Sequence, residues 1–208
     1  MKKLPIYFLL CVFVTLKTSS QTNTESTGGI TTATPFLLIG PDARAGAMGD
    51  MGVATSADAF SLFHNPAKIT FSNRQVKTGI TYSPWLRNLT DDIFIGSGSY
   101  INRYSERAAW GADFKYFSLG QIDLTDSGGN SNGTINPNEL VFTGSYALKL
   151  SEKFSMAVGA RFISSNLEVA SEVGDASAAN SFAVDVAGFF QSEEVAFSDF
   201  NGRWRAGF

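Results

Sequence analysis

Cysteine and histidine are almost missing from this sequence: its 208 residues hold one of each, Cys11 and His64. Cys11 lies in the apolar run Leu4–Leu16, behind Lys2 and Lys3 and ahead of Thr18-Ser19-Ser20. A basic start, about 13 apolar residues and a small-residue end read as a secretory signal peptide over residues 1–20, too short to span a bilayer. The processed chain then has no thiol. That excludes a disulfide framework, thiolate chemistry and metal sites built from cysteine and histidine. Charge is also sparse, at 17% of residues and a net −3, with no basic stripe, so nucleic acid has no electrostatic footing.

Catalytic patterns are missing too. His64 has no G-x-S-x-G elbow to serve, so a Ser-His-Asp arrangement is not supported. The run DLTDSGGN, Asp123 to Asn130, lacks the calcium-loop register and its closing glutamate. Gly46, Gly49 and Gly52 follow the apolar run Phe36–Ile39 with the spacing G-x-x-G-x-x-G. A dinucleotide loop needs G-x-G-x-x-G and a P-loop needs G-x-x-x-x-G-K-[ST], so neither fits. With neighbouring Ala and Met, these glycines read as a compact, close-packed plug. The residues give no catalytic group, no cofactor site and no metal site. They describe a protein that is not an enzyme.

Glycine, at 20 residues, and phenylalanine, at 18, are abundant, and from residue 75 onward a period of two takes over. Val76, Thr78, Ile80 and Tyr82 share one side, opposite Lys77, Gly79 and Thr81. Trp110, Ala112, Phe114 and Tyr116 oppose Gly111, Asp113 and Lys115. Leu140, Phe142, Tyr146 and Leu148 oppose Val141, Thr143 and Ser145. Phe154, Met156, Val158 and Phe162 oppose Ser155, Gly159 and Arg161, and Phe182, Val184 and Val186 oppose Ala183 and Asp185. Residues 92–101 are strand-like but less two-sided, and residues 203–208 open a further strand. Such alternation gives each strand one greasy and one wet face. No sustained helical period appears in this half.

A soluble β-sandwich and an outer-membrane barrel both fit alternation. The strands run about 10 to 13 residues, beyond the usual 5 or 6. The polar sides are rich in Gly, Ser, Thr and Ala. Aromatics sit near strand ends, as interfacial girdles do: Tyr82, Trp85, Tyr100, Tyr116 and Phe162. Together with secretion, this favours the barrel. Connectors agree, since the long GQIDLTDSGGNSNGTINPN and NLEVASEVGDASAA follow odd-numbered strands and the short SEK follows an even one. With the N-terminus periplasmic, the long loops face outward; the 12-residue QSEEVAFSDFNG is longer than that scheme expects. Lys77, Asp113, Lys115, Arg161 and Asp185 face the lumen and would pair there, because lipid exposure of a basic residue costs about 2–4 kcal/mol. Six strands and the start of a seventh are legible, an odd number with open edges. The chain is therefore expected to supply the N-terminal half of a larger barrel. The expected organisation is signal peptide 1–20, flexible leader 21–34, hatch or plug 35–74 and barrel 75–208.

The stretch GPDARAGAMGDMGVATSADAFSLFHNPAK resembles the N-terminal hatch of FadL-like outer-membrane barrels. Asn65, Pro66 and Ala67 match their Asn-Pro-Ala signature, and Gly46, Gly49, Gly52 and Asp58 match the small-residue run before it. ARAGAMGDMGVA and FNGRWRAGF resemble the PorV/PorQ family of Bacteroidota more closely. That resemblance implies an all-β, antiparallel transmembrane barrel of about 14 strands with a small hatch in its lumen. It implies a type IX secretion component of the bacterial outer membrane. The partners implied are the giant translocon barrel, the surface attachment complex and cargo bearing a C-terminal signal domain, within membrane lipid and without nucleic acid. The other reading is a FadL-like transporter of hydrophobic small molecules, which would want a continuous apolar path inside. The inward set here is polar. His64, just before the signature, reads as a packing residue of the hatch.

Overall fold

The computed structural model describes residues 34–88, 90–125, 128–167, 170–171, 174–175 and 178–208. The expected signal peptide, and all of the expected leader except Thr34, lie outside the described residues.

Among the described residues, thirteen strands form in chain order. Seven of them make one antiparallel sheet: β1 (Val76–Pro84), β2 (Ile93–Asn102), β3 (Ala108–Leu119), β6 (Asn138–Lys149), β7 (Phe154–Asn166), β10 (Ala179–Gln191) and β13 (Arg205–Gly207). Each pairs with the next, so the sheet is a plain meander, and it curls as part of a barrel wall does. The other six are hairpins within connections: β4 (Ile122–Thr125) with β5 (Ser131–Ile135), β8 (Ala170–Ser171) with β9 (Gly174–Asp175), and β11 (Val195–Ala196) with β12 (Asn201–Gly202). An up-and-down meander puts the described residues of connections 85–92, 120–137 and 167–178 at one end. The turns 103–107, 150–153 and 192–204 lie at the other.

The wall is built inside out relative to a soluble sheet. Along β6, Phe142, Tyr146 and Leu148 are 53%, 44% and 40% exposed, while Thr143, Ser145 and Ala147 are 4%, 7% and 0% exposed. Register lines the greasy residues up across strands: Phe114, Phe142, Phe162 and Phe182 are successive cross-strand partners. Ring contacts continue the pattern, with Tyr82–Phe94 at 5.1 Å, Phe94–Tyr116 at 5.9 Å and Tyr100–Trp110 at 5.4 Å. Aromatic and branched pairs stabilise such ladders. A face this apolar and this exposed is suited to lipid. No helix among the described residues is long and apolar enough to cross a membrane.

The buried side of the sheet is covered by the N-terminal segment. Its elements are short: a 3-10 turn at Pro35–Leu38, helix α1 (Ala43–Ala47), helix α2 (Ser61–His64) and a second 3-10 turn at Pro66–Phe71. Asp42 caps α1 by accepting from the Arg44 amide at 2.9 Å. Two apolar clusters seal the segment to the wall. One joins Leu62, Ala67 and Ile69 to Ile101, Ala147, Ala157 and Phe189; the other joins Phe36 to Val141 and Ile163. The inner face is therefore polar in its middle and apolar towards both ends. This accounts for the weak two-sidedness of β2, whose inward Ile95 and Ile101 are buried beneath the segment.

Candidate functional site: the seam between the N-terminal segment and the wall

Asn65 is fully buried and uses both ends of its amide. Its Oδ1 accepts from the Ala67 amide at 2.9 Å, closing the turn that Pro66 starts. Its Nδ2 donates to Val53 O at 3.2 Å and to Gly188 O of β10 at 2.9 Å. One side chain thus ties its own turn, an earlier loop and the wall. Ala67 completes the joint from the other side, for Ser155 Oγ of β7 donates to Ala67 O at 2.7 Å.

Asp58 binds the two helices together. Its amide donates to Ser61 Oγ at 2.8 Å, Ser61 Oγ returns a bond to Asp58 Oδ1 at 3.0 Å, and Asp58 Oδ2 meets Arg44 Nη1 at 2.9 Å. The three glycines differ in their reasons. A Cβ on Gly52 would fall within the His64 ring, so close packing requires glycine there. Gly49 has φ +72°, a left-handed turn position. A Cβ on Gly46 would meet nothing within 4 Å, so close packing does not explain that glycine.

The wall grips main-chain oxygens. Lys77 Nζ of β1 donates to Ala57 O at 2.8 Å, and Ser99 Oγ of β2 donates to Ala59 O at 2.6 Å. Lys115 Nζ of β3 donates to Phe36 O and Ile39 O, both at 2.9 Å, and to Leu37 O at 3.3 Å. That ammonium also lies 4.3 Å from the centre of the Phe63 ring. Of the five polar residues expected to face the lumen, the two lysines are therefore latches. Arg161 and Asp185 meet on adjacent strands β7 and β10, with Nη2 2.9 Å from Oδ2. This is a charge contact without hydrogen-bond alignment. Asp113 sits on the inner face opposite Thr143.

His64 packs edge-on to Phe63 at 4.9 Å. Burial, helped by Lys68, lowers its pKa, so the ring is neutral at neutral pH. Lys68 has no role in the sequence reading, yet it is fully buried in the second 3-10 turn. Its Nζ donates to Gly52 O and to Thr55 Oγ1 at 3.1 Å, and burial pushes its pKa down to about 8. A lone charge inside PAKITF, whose other residues are apolar except Thr70, is the signal that could have found it. Among the described residues, no group of three or more His, Cys, Asp or Glu is placed to hold a metal.

A curled meander with a lipid-suited outside and a latched inner segment defines a plugged, outer-membrane type of β-barrel wall. The class can be narrowed further. The family model described as type IX secretion system protein PorV matches residues 21–208, and the chain belongs to that family. No curated protein matches the sequence. The protein is thus a component of the type IX secretion system, and family and fold together point to the outer membrane. The family is a secretion-system family and not a known enzyme family.

Proposed function

We propose that the protein binds the giant translocon barrel, captures cargo by its C-terminal signal domain and carries it to the surface attachment complex. The observation that carries this reading over transport is how the inner face is used. Lys77 and Lys115 are spent on holding the segment, and the apolar inner clusters are interrupted by the polar middle. A carrier of hydrophobic molecules would need that apolar lining to be continuous. In this reading residues 1–20 are removed, residues 35–74 act as the hatch and residues 75–208 form wall. The N-terminus is periplasmic, which turns connections 85–92, 120–137 and 167–178 outward. The β4–β5 hairpin, almost wholly exposed, would then stand on the cargo side.

The test is recovery of partners with tagged full-length protein from its native membrane. Co-purification of a giant barrel or of secreted proteins supports the shuttle. Loss of fatty-acid uptake on deletion, with secretion intact, supports the transporter instead.

A further inference from the structure

A cavity of about 160 Å³ lies between the N-terminal segment and the polar middle of the wall, lined among others by Phe63, His64, Thr143, Ser145, Arg161 and Asp185. Besides Asp185 Oδ2, which meets Arg161 Nη2 in the charge contact above, three lining residues bring buried polar atoms that have no hydrogen-bond partner among the described residues: Ser145 Oγ, Arg161 Nε and His64 Nε2. Ser145 is 7% exposed, so bulk solvent does not serve its hydroxyl. Gly111 and Gly159 are its cross-strand neighbours on either side, and neither projects a side chain into the space beside it.

Leaving a buried donor or acceptor unserved is destabilising, so three such atoms around one cavity call for an occupant. An apolar cavity of this size stays dry, whereas one lined by donors and acceptors and larger than a single water fills. The volume is several times the roughly 10–15 Å³ that a single water needs, so it admits a cluster. The charges argue for a neutral occupant: Arg161 already faces Asp185, and Asp113 opposite Thr143 on the same patch would repel an anion. Lys115, two residues further along β3, would repel a cation.

We propose that this chamber binds a water cluster, exchangeable with uncharged hydrogen-bonding solutes of about six heavy atoms or fewer, and forms a wet node between the two dry apolar clusters of the seam. The inference concerns the seam alone and stands apart from the cargo reading.

The full-length protein can be tested in membranes, with Cys11→Ser removing the sequence's only thiol. Ser145→Cys places a thiol in the chamber. Ala147→Cys places one on the same face of β6 but within the dry cluster. The probes are methyl methanethiosulfonate, which is small and uncharged, and a polyethylene-glycol maleimide. The small reagent should label position 145 at least about tenfold faster than position 147, where only rare local opening exposes the thiol. The bulky one should label neither until denaturant is added. Equal rates at the two positions, no labelling at 145, or labelling of the folded protein by the bulky reagent would overturn the proposal. Ser145→Ala gives an independent reading. A wet chamber loses an anchor for its waters and the unfolding temperature falls; an unchanged or raised temperature means that the hydroxyl was an unserved group in a dry void.

Discussion

Lys68 carries charge where burial does not favour it. Its folded pKa of about 8 lies below the usual lysine value of 10.5. Below pH 8 the lysine is protonated in both folded and unfolded chains, so it gives stability no pH slope. Between about pH 8 and 10.5 the unfolded chain holds the proton that the folded chain has released, so stability rises with pH across that window. The gain expected is on the order of 3 kcal/mol, read as an upward shift in denaturation midpoint, and Lys68→Met should flatten the slope. Two glycines supply a matched pair at the same scale. Gly52→Ala forces a methyl into the His64 ring and should cost about 1–3 kcal/mol. Gly46→Ala, within α1 and facing open space, should be neutral or should stabilise by about 0.5–1 kcal/mol. Unfolding temperatures of the two variants, measured side by side, check both. Destabilisation of equal size at the two positions would refute the packing argument for Gly52.

The strands are the elements most open to a sequence reading, and the reason is visible along β6. Val141, Thr143, Ser145 and Ala147 are buried while Phe142, Tyr146 and Leu148 are exposed, so an alternating string becomes two faces with no further information. The β4–β5 hairpin gave no such signal. Its residues are exposed on nearly every side, so neither face carries a periodic apolar stripe, and connector 120–137 reads as loop. The inner segment was legible as a packed run but not as a mechanism. Turns of four to six residues are too short to show a period. The partners of Lys77 and Lys115 are main-chain oxygens 20 or more residues away, which no side-chain pattern records. The outward phase makes its own prediction. Phe142→Arg should cost about 2–4 kcal/mol if the ring faces lipid, and should lower the yield of assembled protein in membranes. In a water-facing sheet the same change at a half-exposed phenylalanine would be nearly silent, so the assembled fraction of this variant against Phe142→Leu decides between the two solvents.

For the molecule as a whole, exposed Ile80, Tyr82, Phe114, Phe142, Val158, Phe182, Val184 and Trp204 add up to an outside that water does not suit. The protein is expected to associate in plain buffer and to give a cooperative unfolding transition only in detergent or lipid, followed by light scattering and circular dichroism. A monodisperse, cooperatively unfolding monomer without detergent would contradict the barrel assignment.

Four strands clasp peptide oxygens of the interior segment, β1 and β2 at residues 57 and 59, β3 at residues 36 to 39 and β7 at residue 67, while β10 is joined instead by the Asn65 side chain. The wall therefore reads its guest as a measured path and is indifferent to much of what hangs from it. Apart from Asn65 and Gly52, a changed side chain along that path leaves the clasps where they were. An added or deleted residue shifts every later oxygen by up to about 3.3–3.6 Å, more than the length of the bonds that hold them. Spacing, far more than composition, is what this interior can least tolerate losing.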